Sequence, residues 1–152
     1  MEISDLLQPD AVITLKASSK KQVLQELAKK AATITGLGER KIFDTLLERE
    51  RLGTTGVGNG IAIPHGKLAD LNRLYGVFAR LEKPVDFEAI DDHPVDLIFL
   101  LLAPEQAGAD HLKALARVSR LLRDPANCDK LRGAANTDGL YMVLIQTEAQ
   151  AA

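Results

Sequence analysis

The sequence predicts a three-layer α/β domain, because amphipathic helices and short apolar strands alternate along the chain. Apolar residues recur at helical spacing after Lys20, and residues 95–102 are the most apolar segment of the chain, typical of a strand covered on both faces. A length of 152 residues suits one domain with a sizeable core. We therefore expect a sheet of four or five strands, one pair of them in an antiparallel hairpin.

The first third of the chain predicts one strand and two helices. Residues 12–15 form the strand, and Ser18 or Ser19 can cap the helix that begins at Lys20. The inward residues of this helix recur at helical spacing and are Val23, Leu24, Leu27, Ala28 and Ala31. The second helix ends at Gly53, and its inward residues are Ile42, Phe43, Leu46 and Leu47.

The second half of the chain predicts strands followed by helices. We expect a polar connection after His65, then strands at residues 75–81 and 95–102, with a short strand or turn at 85–87. A helix that ends at Asp124-Pro125 follows, with an apolar stripe of Leu112, Leu115, Ala116, Ser119 and Leu122. Two shorter helices are predicted at residues 127–133 and 138–148.

Composition excludes several classes of protein. A formal net charge of −2 provides no concentrated basic face, so we expect no nucleic-acid partner. Cys128 is the single cysteine and suits a reducing compartment. Residues 1–10 lack the pattern of a signal peptide, and the longest apolar run, residues 97–103, is too short to enter a membrane as a span. We expect a cytoplasmic protein without membrane insertion.

The most informative segment is a glycine-rich loop at residues 53–60 that leads to one histidine. Glycines allow backbone amides to approach a ligand closely, which makes the loop suited to anions. Residues 61–63 form a short buried strand, and Pro64 constrains the chain into His65. The imidazole of His65 is therefore expected at a strand end beside the loop, where it is a candidate nucleophile.

Other catalytic and binding motifs are poorly supported. No serine lies in a G-x-S-x-G turn, and the loop lacks both the Lys-Ser/Thr of a P-loop and the following helix of a dinucleotide site. One cysteine and no paired histidines leave too few ligands for zinc. The sequence thus predicts neither a metal nor a cofactor.

Histidine as a covalent nucleophile towards phosphorus is the chemistry that remains. Neutral imidazole is competent near neutral pH when one ring nitrogen is free and the other donates to a fixed acceptor. Arg49 lies just upstream of the loop, although residue chemistry alone favours a solvated helix-end charge for it. His111 begins a helix after a loop, whereas His93 lies in an acidic turn and is expected to be structural.

The segment around His65 resembles the phosphohistidine signature of enzyme IIA proteins of the phosphoenolpyruvate-dependent phosphotransferase system, mannitol/fructose class. The matching positions are Glu50, Val57-Gly58 and Ile61-Ala62-Ile63-Pro64-His65-Gly66. Similarity continues through residues 89–104 to His111-Leu112 and covers nearly the whole chain. Arg49-Glu50, residues 54–60 and residues 66–68 are most similar to the nitrogen-regulatory branch, a freestanding IIA without a dedicated sugar permease.

The resemblance implies a single phosphocarrier domain over residues 1–152, with a mixed five-stranded sheet flanked by helices on both sides. It implies that His65 is phosphorylated by an HPr-like carrier, and that His111 and Arg49 hold the phosphoryl oxygens. Implied partners are regulatory targets in potassium transport and in nitrogen or carbon metabolism. His93 occupies a variable position, and no role is carried onto Asp110.

Three other functions compete with this one. A sugar-specific IIA component would pass phosphate onward to a IIB domain for mannitol- or fructose-type uptake. A binding module that has lost phosphotransfer is disfavoured because the three site residues are present. A metal-dependent hydrolase would need ligands that this chain hardly has.

Overall fold

A computed structural model of the chain describes the backbone of residues 2–151 and the side chains of residues 2–146. The helices are α1 Ile3–Leu6, α2 Lys20–Thr35, α3 Glu39–Arg51, α4 Ala109–Arg123, α5 Pro125–Gly133 and α6 Thr137–Ala151. The strands are β1 Val12–Leu15, β2 Gly56–Gly58, β3 Ile61–Ala62, β4 His65–Leu68, β5 Tyr75–Val85 and β6 Val95–Pro104. A short 3-10 turn, Pro9–Ala11, leads into β1.

The strands form one mixed sheet in the order β1-β5-β6-β3-β2, and β4 also pairs with β6. β5 and β6 are antiparallel, as are β2 and β3, whereas β1 runs parallel to β5 and both β3 and β4 run parallel to β6. Ile61 pairs with Leu97 and His65 with Leu101, so β3 and β4 keep one register along β6. β3 and β4 lie one after the other along the same side of β6, so together they occupy one strand position. The predicted five-stranded mixed sheet is therefore confirmed.

Helices cover the sheet on both sides, as predicted. Gly66 faces α3, because a Cβ at this position would lie 2.8 Å from Cγ2 of Thr45. The neighbouring His65 faces α4, where its ring lies 5.8 Å from the ring of His111. Since successive residues of a strand point to opposite faces, α3 and α4 lie on opposite sides of β4. β2 pairs with β3 but not with β4, so β4 lies at the edge of the sheet.

The predicted α2 helix is confirmed at its start and along its buried face. The Ser19 hydroxyl accepts a hydrogen bond from the Gln22 backbone N–H and caps the first turn. Gly36 ends the helix in the left-handed conformation, with a φ of 78°. All five residues predicted to face inward are buried, and they pack into a core built around β5 and β6.

The predicted buried face of α4 is wrong in part. Leu122 is buried as predicted, and Leu115 is partly buried against the core. Leu112 is 66% exposed and Ala116 is also exposed, whereas the buried face contains His111, Ala114, Val118, Leu121 and Leu122. Apolar residues lie on two sides of this helix, and a prediction from residue spacing alone favours the side with more leucines. Contact with β6 selects the other side and places His111 inside the protein.

Two further expectations about the chain after His65 are corrected. The polar connection predicted there is the strand β4, because its backbone continues the ladder with β6 despite polar side chains. Asp86 and Phe87 belong to no strand, and Val85 is the last residue of β5. No helix within residues 2–151 combines the length and the hydrophobicity needed to span a membrane.

Candidate functional site

All three predicted site residues lie at one pocket, at the edge of the sheet where β4 runs between α3 and α4. The pocket has a volume of ≈ 630 Å³ and is lined by Asp44, Thr45, Glu48, Arg49, Leu52, His65, Gly66, Lys67 and His111. His93 lies outside it, with its side chain 75% exposed and its Nδ1 atom 3.9 Å from a carboxylate oxygen of Asp91. The structure therefore brings together His65, His111 and Arg49.

The His65 imidazole is held in one orientation by the backbone two residues earlier. Its Nδ1 atom lies 2.8 Å from the carbonyl oxygen of Ile63. A carbonyl oxygen can only accept, so Nδ1 carries the proton and donates it. In the neutral ring, Nε2 then keeps its lone pair and can act as a nucleophile or a hydrogen-bond acceptor.

The glycine-rich loop supports His65 but does not line the pocket. Its residues form the β2–β3 hairpin, with Asn59 and Gly60 at positive φ angles of 58° and 80°. The Asn59 N–H donates to the Asp91 carboxylate at 2.9 Å, and its carbonyl accepts from Arg132 at 3.0 Å. Since these loop groups are already bonded within the protein, the expectation that the loop itself cradles an anion has no support in this geometry.

His111 provides the second imidazole of the pocket. It is only 6% exposed, and its Nδ1 atom has no hydrogen-bond partner among the described residues. Burial lowers the pKa of His111, and the charges of His65 and Lys67 lower this pKa further. The ring is therefore neutral at neutral pH and remains able to bond with a group that enters the pocket.

Two cationic side chains from different elements line the same pocket. Arg49 Nη1 donates to the carbonyl oxygen of Gly53 at 2.9 Å, which fixes the guanidinium at the end of α3. This bond uses one of the five guanidinium N–H groups. Lys67 lies on the same side of β4 as His65, and no hydrogen bond or ion pair engages its ammonium within residues 2–146. The pocket is also lined by the carboxylates of Asp44 and Glu48, which are paired with Arg40 and Arg51. The remaining donors of Arg49 and the Lys67 ammonium can therefore bind an anion.

A buried ionic cluster lies behind the pocket, and sequence reasoning missed it. Glu50 is 8% exposed and accepts from both the backbone N–H and the hydroxyl of Thr55. Lys20 Nζ lies 3.0 Å from the Glu50 carboxylate and balances its charge. In the sequence, Glu50 is only the first position of the signature, since nothing there places a residue of α2 beside it. Lys67 is likewise only a matching position, without a predicted role.

Among the described residues, neither a metal-binding cluster nor an exposed thiol accompanies the pocket. Across the described residues, no three side chains of His, Cys, Asp and Glu converge to hold a metal ion. Cys128 is buried on α5, and its Sγ donates to the Leu122 carbonyl oxygen at 3.1 Å. Burial raises the pKa of the Cys128 thiol, which keeps it protonated.

The chain is similar to known proteins of one family. The family described as "Phosphoenolpyruvate-dependent sugar phosphotransferase system, EIIA 2" matches residues 5–147. The nitrogen regulatory protein of Bradyrhizobium diazoefficiens is 59% identical over 153 aligned positions, which cover 100% of both chains.

Two solved structures share the fold. The nitrogen regulatory protein IIA-Ntr from Neisseria meningitidis has a TM-score of 0.89 and 32% identity, with 93% of this chain and 98% of that chain covered. The mannitol IIA of Escherichia coli has a TM-score of 0.75 at 21% identity, with 90% and 97% covered, and shows the fold alone. The chain belongs to the phosphotransferase system EIIA 2 family, in its nitrogen-regulatory branch.

Proposed function

We propose that residues 1–152 act as one cytoplasmic phosphocarrier domain in which His65 accepts a phosphoryl group from an HPr-like carrier protein. The observation that carries the proposal is the 2.8 Å contact between His65 Nδ1 and the Ile63 carbonyl oxygen, which leaves Nε2 as the nucleophile. The nitrogen–phosphorus bond of the donor breaks as the bond to Nε2 forms. The donor imidazole leaves with the electron pair, and the Nδ1 proton stays on His65.

The remaining pocket residues stabilise the transferred charge. Phosphoryl transfer depends mainly on positioning and on cations placed around the phosphoryl oxygens. Arg49 and Lys67 provide positive charge from α3 and β4. The open Nδ1 of His111 is a further donor when the neutral ring carries its one proton on that atom. These groups line one pocket before any phosphate arrives, so little reorganisation is needed.

The phosphorylated form would act as a signal to regulatory partner proteins in potassium transport and in nitrogen or carbon metabolism. Phosphorylation adds about 1.5–2 negative charges to a pocket whose lining includes the exposed Leu52. An exposed apolar side chain beside a site of variable charge can contribute to binding a partner in one state and releasing it in the other. Nitrogen-regulatory relatives support this output, and the relay ends here in our proposal.

The test is reconstitution of the relay. Wild type and His65→Ala are incubated with enzyme I, the HPr-like carrier and phosphoenolpyruvate, and acid-labile phosphate is measured on each. We expect one phosphate on wild type and none on His65→Ala. His93→Ala is the matched control, because His93 is exposed outside the pocket, and it should be phosphorylated like wild type. Acid-labile phosphate that persists on His65→Ala would overturn the assignment.

Output is tested separately. A pull-down with phosphorylated wild type and with His65→Ala, which cannot be phosphorylated, should recover different regulatory partners. Onward transfer of the phosphate to a sugar-specific IIB domain would instead support the sugar-uptake function and contradict a regulatory end-point.

A further inference from the structure

We propose that Glu50 is a positioning residue for His65: through Thr55 and Ile63 it fixes the carbonyl that selects the reactive tautomer. This inference rests on the proposed role of His65 as the phosphoryl acceptor. Glu50 does not line the pocket and touches no group that would react. Its effect is transmitted by three consecutive hydrogen-bonded steps between the end of α3 and the start of β4.

The first step joins α3 to the glycine-rich loop. Glu50 Oε1 accepts the Thr55 backbone N–H at 3.0 Å, and Oε2 accepts the Thr55 hydroxyl. Both residues are buried, with Thr55 only 3% exposed. The Glu50 carboxylate thus accepts two hydrogen bonds from the same residue, which fixes both the position and the orientation of Thr55.

The second step joins the loop to the residue before Pro64. The Thr55 carbonyl oxygen accepts the Ile63 N–H at 3.0 Å. On the other side, the Pro64 carbonyl oxygen accepts the Leu101 N–H at 2.9 Å. The Ile63 carbonyl lies between these two anchors, and the restricted φ of Pro64 removes freedom from the connection.

The third step is the bond from His65 Nδ1–H to the Ile63 carbonyl oxygen, at 2.8 Å. If Thr55 shifts, Ile63 loses its N-terminal anchor and this carbonyl can turn away. The imidazole then has no acceptor that keeps its proton on Nδ1. A proton on Nε2 removes the lone pair that attacks phosphorus, so transfer slows even though His65 is still present.

The location of Glu50 disfavours a purely stabilising role. The residue lies in the last turn of α3, where unpaired carbonyl groups make a carboxylate unfavourable. Burial of the charge adds a desolvation cost, which the nearby Lys20 ammonium at 3.0 Å offsets. An acid in this place is explained by the two groups of Thr55 that it holds.

The experiment reads the tautomer directly and the transfer rate separately. Imidazole ¹⁵N chemical shifts of unphosphorylated protein distinguish a proton on Nδ1 from one on Nε2. Glu50→Leu removes both acceptors and should raise the Nε2–H fraction of His65 and slow transfer by about 10- to 100-fold. Glu50→Gln keeps an acceptor for the Thr55 N–H and should keep the wild-type shifts and rate. Lys20→Met removes the ion pairs with Glu50 and Glu88 and the contact with the Phe87 ring, but it leaves both hydrogen bonds from Glu50 to Thr55 in place. It is therefore the matched control, with an unchanged tautomer.

Glu50→Asp is a second variant for the same measurements, to be used if Glu50→Leu does not fold. The shorter side chain keeps the charge beside Lys20 but withdraws the carboxylate from Thr55, so the tautomer should shift in a folded protein. A folded Glu50→Leu or Glu50→Asp with wild-type His65 shifts and wild-type transfer would overturn the inference. If wild type accepts no phosphate at all, the proposed function fails, while the ¹⁵N shifts still decide whether Glu50 positions His65.

Discussion

The imidazole of His65 lies 5.8 Å from that of His111, measured between ring centroids, with 48° between the ring planes. His65 lies on β4 and His111 on α4, and the strands β5 and β6 lie between these two elements along the chain. Both rings line one pocket with Arg49 and Lys67. A group bound to Nε2 of His65 would therefore be enclosed by side chains from α3, β4 and α4.

Replacement of His111 should slow transfer to His65 without loss of the fold. His111→Gln keeps a polar side chain of similar size but removes the second imidazole, so we expect a decrease of about 10²-fold in the transfer rate. The rate is measured by quenching the reaction with the phosphorylated HPr-like carrier at a series of times, and circular dichroism checks the fold. Unchanged transfer kinetics would remove His111 from the site.

The free energy of unfolding should decrease as the pH is lowered below neutral, because His111 is buried. The pKa of this residue in the folded state lies below its ordinary value of 6.5, with burial as the first cause. The unfolded chain therefore binds more protons as pH falls through the unfolded pKa, and the free energy of unfolding decreases until the folded pKa is passed. Urea denaturation of wild type between about pH 7 and pH 5 should show this loss.

The control for the pH effect is His111→Gln, which cannot be protonated at this position. Its free energy of unfolding should change less over the same interval. An equal pH dependence in the two proteins would show that burial of His111 is not its source.

Replacement of Arg49 by lysine should slow phosphoryl transfer. Arg49→Lys keeps the charge but loses the planar set of donors that can bond both the Gly53 carbonyl and a phosphoryl oxygen. We expect slower transfer by about tenfold or more, since a bond to a charged group is worth about 1.5–3 kcal/mol. Arg51→Lys is the matched control, because Arg51 is an exposed neighbour paired with Glu48. Equal rates for the two variants would contradict the role of Arg49.

Gly66 should be required by the close packing of β4 on α3. A Cβ in Gly66→Ala would lie 2.8 Å from Cγ2 of Thr45, so we expect destabilisation of about 1–3 kcal/mol by overpacking. Thr45→Ser removes that methyl group and keeps the hydroxyl that bonds the Lys41 carbonyl. The double variant should recover stability in urea denaturation. Two independent, additive losses would show that the contact is not the cause.

Several parts of the fold were predictable because local chemistry decides them. Ser19 caps a helix whose inward residues follow one clear face, and Gly36 ends it in a conformation that glycine adopts easily. The apolar segment that became β6 has no polar face to expose, so it had to be a central strand. His65 could be singled out as the candidate nucleophile because it follows a predicted buried strand and a proline.

The rest depends on contacts between segments far apart in the chain. β4 has polar residues and is a strand only because β6 supplies its partners. The buried face of α4 differs in part from the predicted one, because apolar residues lie on two sides of the helix and contact with the sheet buries the side with His111.

By itself, the sequence determined the family resemblance, the alternation of helices and strands, and His65 as the residue to test. Tertiary structure alone decided that the loop supports the imidazole through Thr55 and Ile63, with Glu50 behind them. It also decided that Lys67 faces the pocket. The physical reason is that spacing along a chain encodes local conformation, whereas a tautomer and a pocket's charge depend on atoms that meet only after folding.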